Sequence, residues 1–179
     1  MEEDYIALPR GCEDAVITLL ESNKVAYRME DKTNHGENIV VAFKGQLREE
    51  QRAAIASLTA HDNGILNATT AFGKTVTAIG LIAERKVNTL ILVHTKALLD
   101  QWKSRLKEFL QIDFTEDDLP KKRGRKKDFS PFGTLDSKGN SLHEKIDIAL
   151  MQSCLEDSEV KPFVRNYGML IVDECHHVS

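Results

Sequence analysis

Apolar positions along this chain follow two rhythms. From Gln46 onward, short unbroken apolar runs alternate with stretches at helical spacing. GILNA (64–68), TLILVH (89–94), IDIALM (146–151) and MLIVDE (169–174) read as buried strands. Helices are expected over about Leu47–Ala60, Lys74–Arg85 and Ala97–Leu110. Unbroken β-rich runs separated by helices predict an α/β fold, with a mostly parallel sheet covered by helices on both faces. Leu98, Leu99, Trp102, Leu106, Phe109 and Leu110 fall on one helical stripe, which reads as core packing rather than a base-stacking platform.

Before Gln46 the rhythm is different. YIAL, VAYRM and NIVVAF read as short strands and CEDAVITLLES as a helix, so residues 1–44 are expected to form a small α+β unit ahead of a larger domain at 45–179. Residues 113–143 carry an acidic cluster, then a basic one, with three of the ten glycines and two of the four prolines. That stretch is expected to be an irregular insertion rather than a core element, with TLDSKGNSL forming a hairpin inside it.

Composition narrows the class without naming a function. The 179 residues are 41% hydrophobic and 29% charged, as in an ordinary globular domain. A formal net charge of -4 removes any global basic excess, so a nucleic-acid surface has to be local. Cys12, Cys154 and Cys175 are odd in number and form no C-x-x-C pair, which speaks against a disulfide framework and for a reducing compartment. The acidic N-terminus does not resemble a signal peptide and no apolar run is long enough to span a bilayer, so no membrane role and a cytoplasmic location are expected.

The candidate chemistry centres on ATTAFGKT, residues 68–75, between an expected strand and an expected helix. This spacing is that of a phosphate-binding loop, with alanine in the first position where glycine is usual. Small side chains at Ala68, Thr69, Thr70, Ala71 and Gly73 let backbone N–H groups approach phosphate oxygens. Lys74 would place a positive charge on the β- and γ-phosphates, the Thr75 hydroxyl would ligate Mg²⁺, and the helix would aim its positive end at the same anion. Far along the chain, MLIVDECHH delivers Asp173 and Glu174 at the C-terminal end of an apolar strand, the edge where open α/β sheets bind ligands. Asp173 suits magnesium, and Glu174 suits orienting and deprotonating an attacking water.

With ATTAFGKT and VDECHH together, the sequence resembles the first motor domain (N-terminal RecA-like domain) of superfamily 2 helicases and translocases. It is most similar to the branch of the xeroderma pigmentosum group B helicase and the motor subunits of type I and III restriction systems. The resemblance covers residues 46–179, the insertion apart. It implies a P-loop NTPase fold whose cofactors are ATP and Mg²⁺, with Thr70, Ala71, Phe72, Gly73, Lys74, Thr75 and Val76 around the triphosphate. GQLREEQRAAI resembles the adenine-recognising stretch, with Gln51 as base reader and Arg48 beside it. LVHTKALLDQW and IALMQSC resemble backbone-contacting segments, through Thr95, Lys96, Gln152 and Ser153. Ala71 and Phe72 depart from the usual loop residues without removing a donor.

The resemblance also implies a further strand lying between the loop strand and the Asp-Glu strand, and a second RecA-like domain supplying arginines to the ATP site. Neither falls within residues 1–179, so the sheet is expected to be incomplete, and this chain alone to bind ATP weakly and not hydrolyse it. The implied polymer is duplex DNA, although the same backbone contacts suit RNA. Two other readings stay open: a non-catalytic nucleic-acid-binding module with a vestigial loop, and a phosphotransferase, for which no acceptor pocket or arginine-rich lid is evident. KKRGRKK, with Arg123 and Arg125 flanking Gly124, would fit a narrow minor groove or form a solvated charge run offset by the acidic cluster before it. His176 and His177 lack metal-ligand spacing.

Overall fold

The computed structural model of the chain describes residues 10–30, 33–113, 130–157 and 159–175. Two compact units divide after Thr33. In the first, helix α1 (Glu13–Ser22) is acidic at its start, as the helix dipole favours, and Val25–Met29, expected as a strand, carries none. YIAL lies outside the described residues.

The second unit is an α/β domain. Its elements in chain order are β1 (Val41–Phe43), α2 (Glu49–Thr59), α3 (Lys74–Arg85), β2 (Thr89–Val93), α4 (Lys96–Phe109) and β3 (Leu110–Ile112). They continue with β4 (Gly133–Asp136), β5 (Gly139–Asn140), β6 (Ile146–Leu150), β7 (Leu155–Glu156), β8 (Glu159–Val160) and β9 (Met169–Val172). The central sheet has the order β5-β4-β6-β2-β9. Its β4, β6, β2 and β9 run parallel, and β5 alone is antiparallel, forming the expected hairpin with β4.

Side chains alternate across this sheet with a period of two, as strand geometry requires. Ile91 and Val93 of β2, with Ile146, Ile148 and Leu150 of β6, face α3 and α4 and meet Ile79, Ile82, Leu99, Trp102 and Leu106. Leu90 and Ala149 point the other way, to Leu135, Cys154 and Tyr167, under a 3-10 helix at Pro162–Asn166. β2 and β6 are buried on both faces, which explains why they read as unbroken apolar runs.

Three expectations about organisation differ from what the structure places. The strand in NIVVAF pairs Val41 with Ile112 and Phe43 with Leu110, so it belongs to the second unit rather than to a unit ending at 44. Gly133–Asp136 lies inside the central sheet, with Phe132 and Leu135 buried, so this part of the expected irregular insertion is core. GILNA forms no strand: Gly64–Ala68 has no ladder partner among the described residues, and Ile65 is 82% exposed. A strand exists only where its N–H and C=O groups find a neighbour, and a cleft lies between this segment and β9.

The N-terminal ends of the strands are tied by two buried polar side chains. Asn88 (1% exposed) accepts from the Glu37 and Gly168 amides, each at 2.9 Å, and donates to the Glu144 and Asn166 carbonyls. Asp147 (0% exposed) accepts from the His143 and Glu144 amides and from the Tyr167 hydroxyl at 2.6 Å. Both knots lie at the rim opposite the candidate site. No helix among the described residues is long and apolar enough to cross a membrane.

Candidate nucleotide and nucleic-acid site

The site is built at the start of α3. Thr70–Phe72 forms a single 3-10 turn, Gly73 turns left-handed at φ 83°, and α3 begins at Lys74. Glycine is required there twice over, by its positive φ and because a Cβ would stand 2.8 Å from Gln51 Nε2. No side chain caps α3 and no acid lies in its first turn, whereas α2 opens with Glu49 and Glu50. The first amides of α3 have no partners within the helix, and its dipole is positive at that end.

Two side chains of the α2 region brace the loop. Gln51, 4% exposed, donates from Nε2 to the Phe72 carbonyl at 2.9 Å and accepts from the Arg48 amide at 3.0 Å. The Arg48 guanidinium donates to the carbonyls of Ala71 and Phe72. Lys74 Nζ donates to the Ala68 carbonyl at 3.2 Å, which folds the loop over its own lysine. At the far end of α3, Arg85 donates to the Leu58 and His61 carbonyls and anchors the turn that feeds the loop.

Lys74, Thr75, Asp173 and Glu174 line one cleft of about 610 Å³. One wall is the Gly64–Asn67 segment with the start of α3, and the other is β9 and the turn after it. Asp173 is placed by its backbone, whose N–H donates to the Leu92 carbonyl at 3.0 Å and extends the β2–β9 pairing by one residue. Glu174 follows with a left-handed backbone (φ 52°), a conformation that non-glycine residues seldom hold, and its side chain is exposed at the cleft. The hydroxyl of Thr75 and the carboxylate of Asp173 are hard oxygen donors of the kind Mg²⁺ takes, and the cleft brings both to one place. No group of three or more His, Cys, Asp and Glu with metal-holding geometry occurs among the described residues.

The expected nucleic-acid residues lie on the same rim. Val93 of β2 pairs with Leu150 of β6, so Thr95 and Lys96 leave the sheet beside Gln152 and Ser153. Thr95 caps α4, accepting from the Leu98 amide at 3.3 Å. Lys96 is held by Asp136 at 2.5 Å and by Asp100 at 3.6 Å. The Asp136 contact holds the lysine's pKa above its usual value, and the aspartate's below, where its bond to Lys96 is the largest cause. Gln152 is exposed in the 3-10 helix Met151–Cys154. Arg123, Arg125, His176 and His177 lie outside the described residues.

Among the contacts that the sequence reading did not anticipate, one reaches a candidate metal ligand. Trp102 donates its indole N–H to Asp173 Oδ2 at 2.7 Å. Helical spacing gave its burial correctly, and the signal for the rest was available: a buried indole N–H requires an acceptor.

Residues 44–179 match the family described as "Type III restriction enzyme, res subunit". The chain is 35% identical over 147 residues to "Putative helicase 109L" of Invertebrate iridescent virus 3, covering 75% of this chain and 39% of that protein. It is 32% identical over 94 residues to "DNA 3'-5' translocase XPB2" of Sulfurisphaera tokodaii, covering 49% of this chain and 21% of that protein. The chain thus spans well under half the length of these relatives.

Proposed function

This chain belongs to the type III restriction enzyme, res subunit, family, and we propose that it is the ATP-binding motor domain of a superfamily 2 helicase or translocase acting on DNA. The observation that carries this reading is the cleft shared by Lys74 and Thr75 with Asp173 and Glu174, residues that come from opposite ends of the domain sequence.

In this reading ATP lies with its phosphates at the start of α3. Lys74 leaves the Ala68 carbonyl for the β- and γ-phosphates, and the uncapped amides of α3 receive phosphate oxygens, with Thr70, Ala71, Phe72, Gly73 and Val76 forming the cradle. Thr75 and Asp173 would hold Mg²⁺, which would supply neutralising charge on the phosphates. Glu174 orients and deprotonates the attacking water. Gln51 has a second Nε2 hydrogen beyond the one used on Phe72, and that hydrogen reads adenine. The polymer tracks along the rim through Thr95, Lys96, Gln152 and Ser153, with Lys96 exchanging Asp136 for a backbone phosphate.

DNA is favoured over RNA by the name of the Sulfurisphaera relative, a DNA translocase. A further strand fits between the Gly64–Asn67 segment and β9, where Leu170 is half exposed and the cleft lies open. Arginines of a second RecA-like domain are needed for turnover, because such a group contributes about 10³–10⁵ in rate in related phosphoryl transfers. Residues 1–179 alone should therefore bind ATP and turn it over negligibly.

The test is Lys74→Ala in the full-length protein, read as DNA-stimulated ATP hydrolysis. Loss of the stimulated rate supports the assignment, and retained turnover refutes it. Separate titrations of a nucleotide analogue and of duplex DNA distinguish a non-catalytic module, which would bind DNA but no nucleotide.

A further inference from the structure

Asp173 is fixed twice. The β2–β9 ladder holds its backbone, and the Trp102 indole holds one oxygen of its carboxylate at 2.7 Å. Trp102 is 2% exposed on α4, and its ring forms part of the cleft wall beside Lys74 and Thr75. Packing alone would be satisfied by a phenylalanine or leucine. An indole adds one directed donor, and here that donor points at the carboxylate expected to meet the metal.

We propose that Trp102 is a positioning residue of the nucleotide site: its N–H sets the rotation of the Asp173 carboxylate, leaving Oδ1 for the shell of Mg²⁺, and links that carboxylate to helix α4. The inference rests on the reading of the cleft as an ATP·Mg²⁺ site. A carboxylate free to rotate presents either oxygen to the cleft, and fixing it removes that freedom before the metal arrives. The helix matters because α4 begins with the cap Thr95 and with Lys96, the expected polymer contacts. Trp102 lies about 10 Å further along the same helix axis. A polymer that shifts the start of α4 therefore moves the donor on which the Asp173 orientation depends.

Trp102→Phe keeps most of the buried ring and removes the donor. In the 179-residue chain, affinity for ATP with Mg²⁺ is expected to fall about ten- to a hundredfold, the usual scale for losing a partner that orients a metal ligand. Affinity for ATP in excess chelator should not change, since a residue acting only through Asp173 does not touch the phosphates. Equal Mg²⁺-dependent affinity in the two proteins overturns the proposal while leaving the nucleotide site standing. A wild-type chain that binds no ATP, with or without Mg²⁺, overturns both readings. Should the variant not fold, the wild type decides alone, because Trp102 is the sole tryptophan and gives one indole signal in a proton–nitrogen spectrum. Adding Mg²⁺ to the ATP-bound chain is expected to displace that signal. Backbone amide signals that move while the indole stays fixed overturn the proposal.

Discussion

The side-chain amide of Gln51 is shared between two backbones: it accepts from Arg48, the residue just before its own helix, and donates to the carbonyl of Phe72 in the turn before α3. A residue expected to read adenine is thus also the brace that holds the loop's exit. The two roles use different hydrogens of one amide, and so can coexist.

They can be separated by Gln51→Ala. Loss of the brace is expected to cost about 1–3 kcal/mol, the price of leaving buried partners unpaired. Loss of the base contact should erase any preference for ATP over GTP. Urea unfolding measures the first and competitive nucleotide titration the second. A variant that is destabilised yet still prefers ATP would show Gln51 to be a brace only.

Gly73→Ala tests the turn itself. The residue must keep φ near 83° and its new methyl group would press on Gln51 Nε2. A penalty of about 1–2 kcal/mol is expected from the left-handed backbone, together with weaker nucleotide binding as the Gln51 contact opens. An unchanged urea midpoint would contradict the geometry.

Asp147 predicts a pH dependence far from the site. Desolvation by burial raises its pKa, against the bonds from Tyr167, Glu144 and His143 that lower it. Above its ordinary value of about 3.9 and below the raised one, the folded chain keeps a proton that the unfolded chain has released. The contribution of this group to stability therefore falls as pH rises through that window. Asp147→Asn lacks this term. The stability difference between wild type and variant should be larger near pH 4 than near pH 7. A difference that is the same at both would show no net shift at Asp147.

The cysteines should react unequally. Burial pushes the Cys154 thiol up to about 11, while Cys175 is exposed at the cleft and Cys12 is partly exposed. At pH 8 the Cys154 thiolate fraction is about 10⁻³, so iodoacetamide should label Cys175 and Cys12 and spare Cys154 until the chain unfolds. Peptide mass mapping after brief labelling reads this directly. Early modification of Cys154 would mean that the second core face opens in the native state.

The strands that read clearly in the sequence are those whose burial on both faces leaves no polar interruption, β2 and β6 above all. Helix α3 was equally plain, because Gly73 and the loop before it mark its start. What escaped depends on partners distant in the chain. Nothing near Val41–Phe43 announces that its neighbour is Leu110–Ile112, and GTLD is too short and too polar to advertise a place beside β6. GILNA shows the converse, a segment with strand-like residues whose ladder partner is lacking among the described residues. Residue types and spacing singled out Lys74, Thr75, Asp173 and Glu174, which the structure brings to one cleft. The ties from Arg48 to the loop, Lys96 to Asp136 and Trp102 to Asp173 needed three dimensions.

The pairing of β2 has a consequence for biosynthesis. Thr89 hydrogen-bonds into a ladder with Ile146 on one side and Met169 on the other, both made long after it leaves the ribosome. During translation this apolar segment, buried in the finished domain, emerges with neither neighbour in existence. Its pairing on both sides must wait until residue 169 has been made, so the nascent protein passes through an interval in which a holding chaperone has a client.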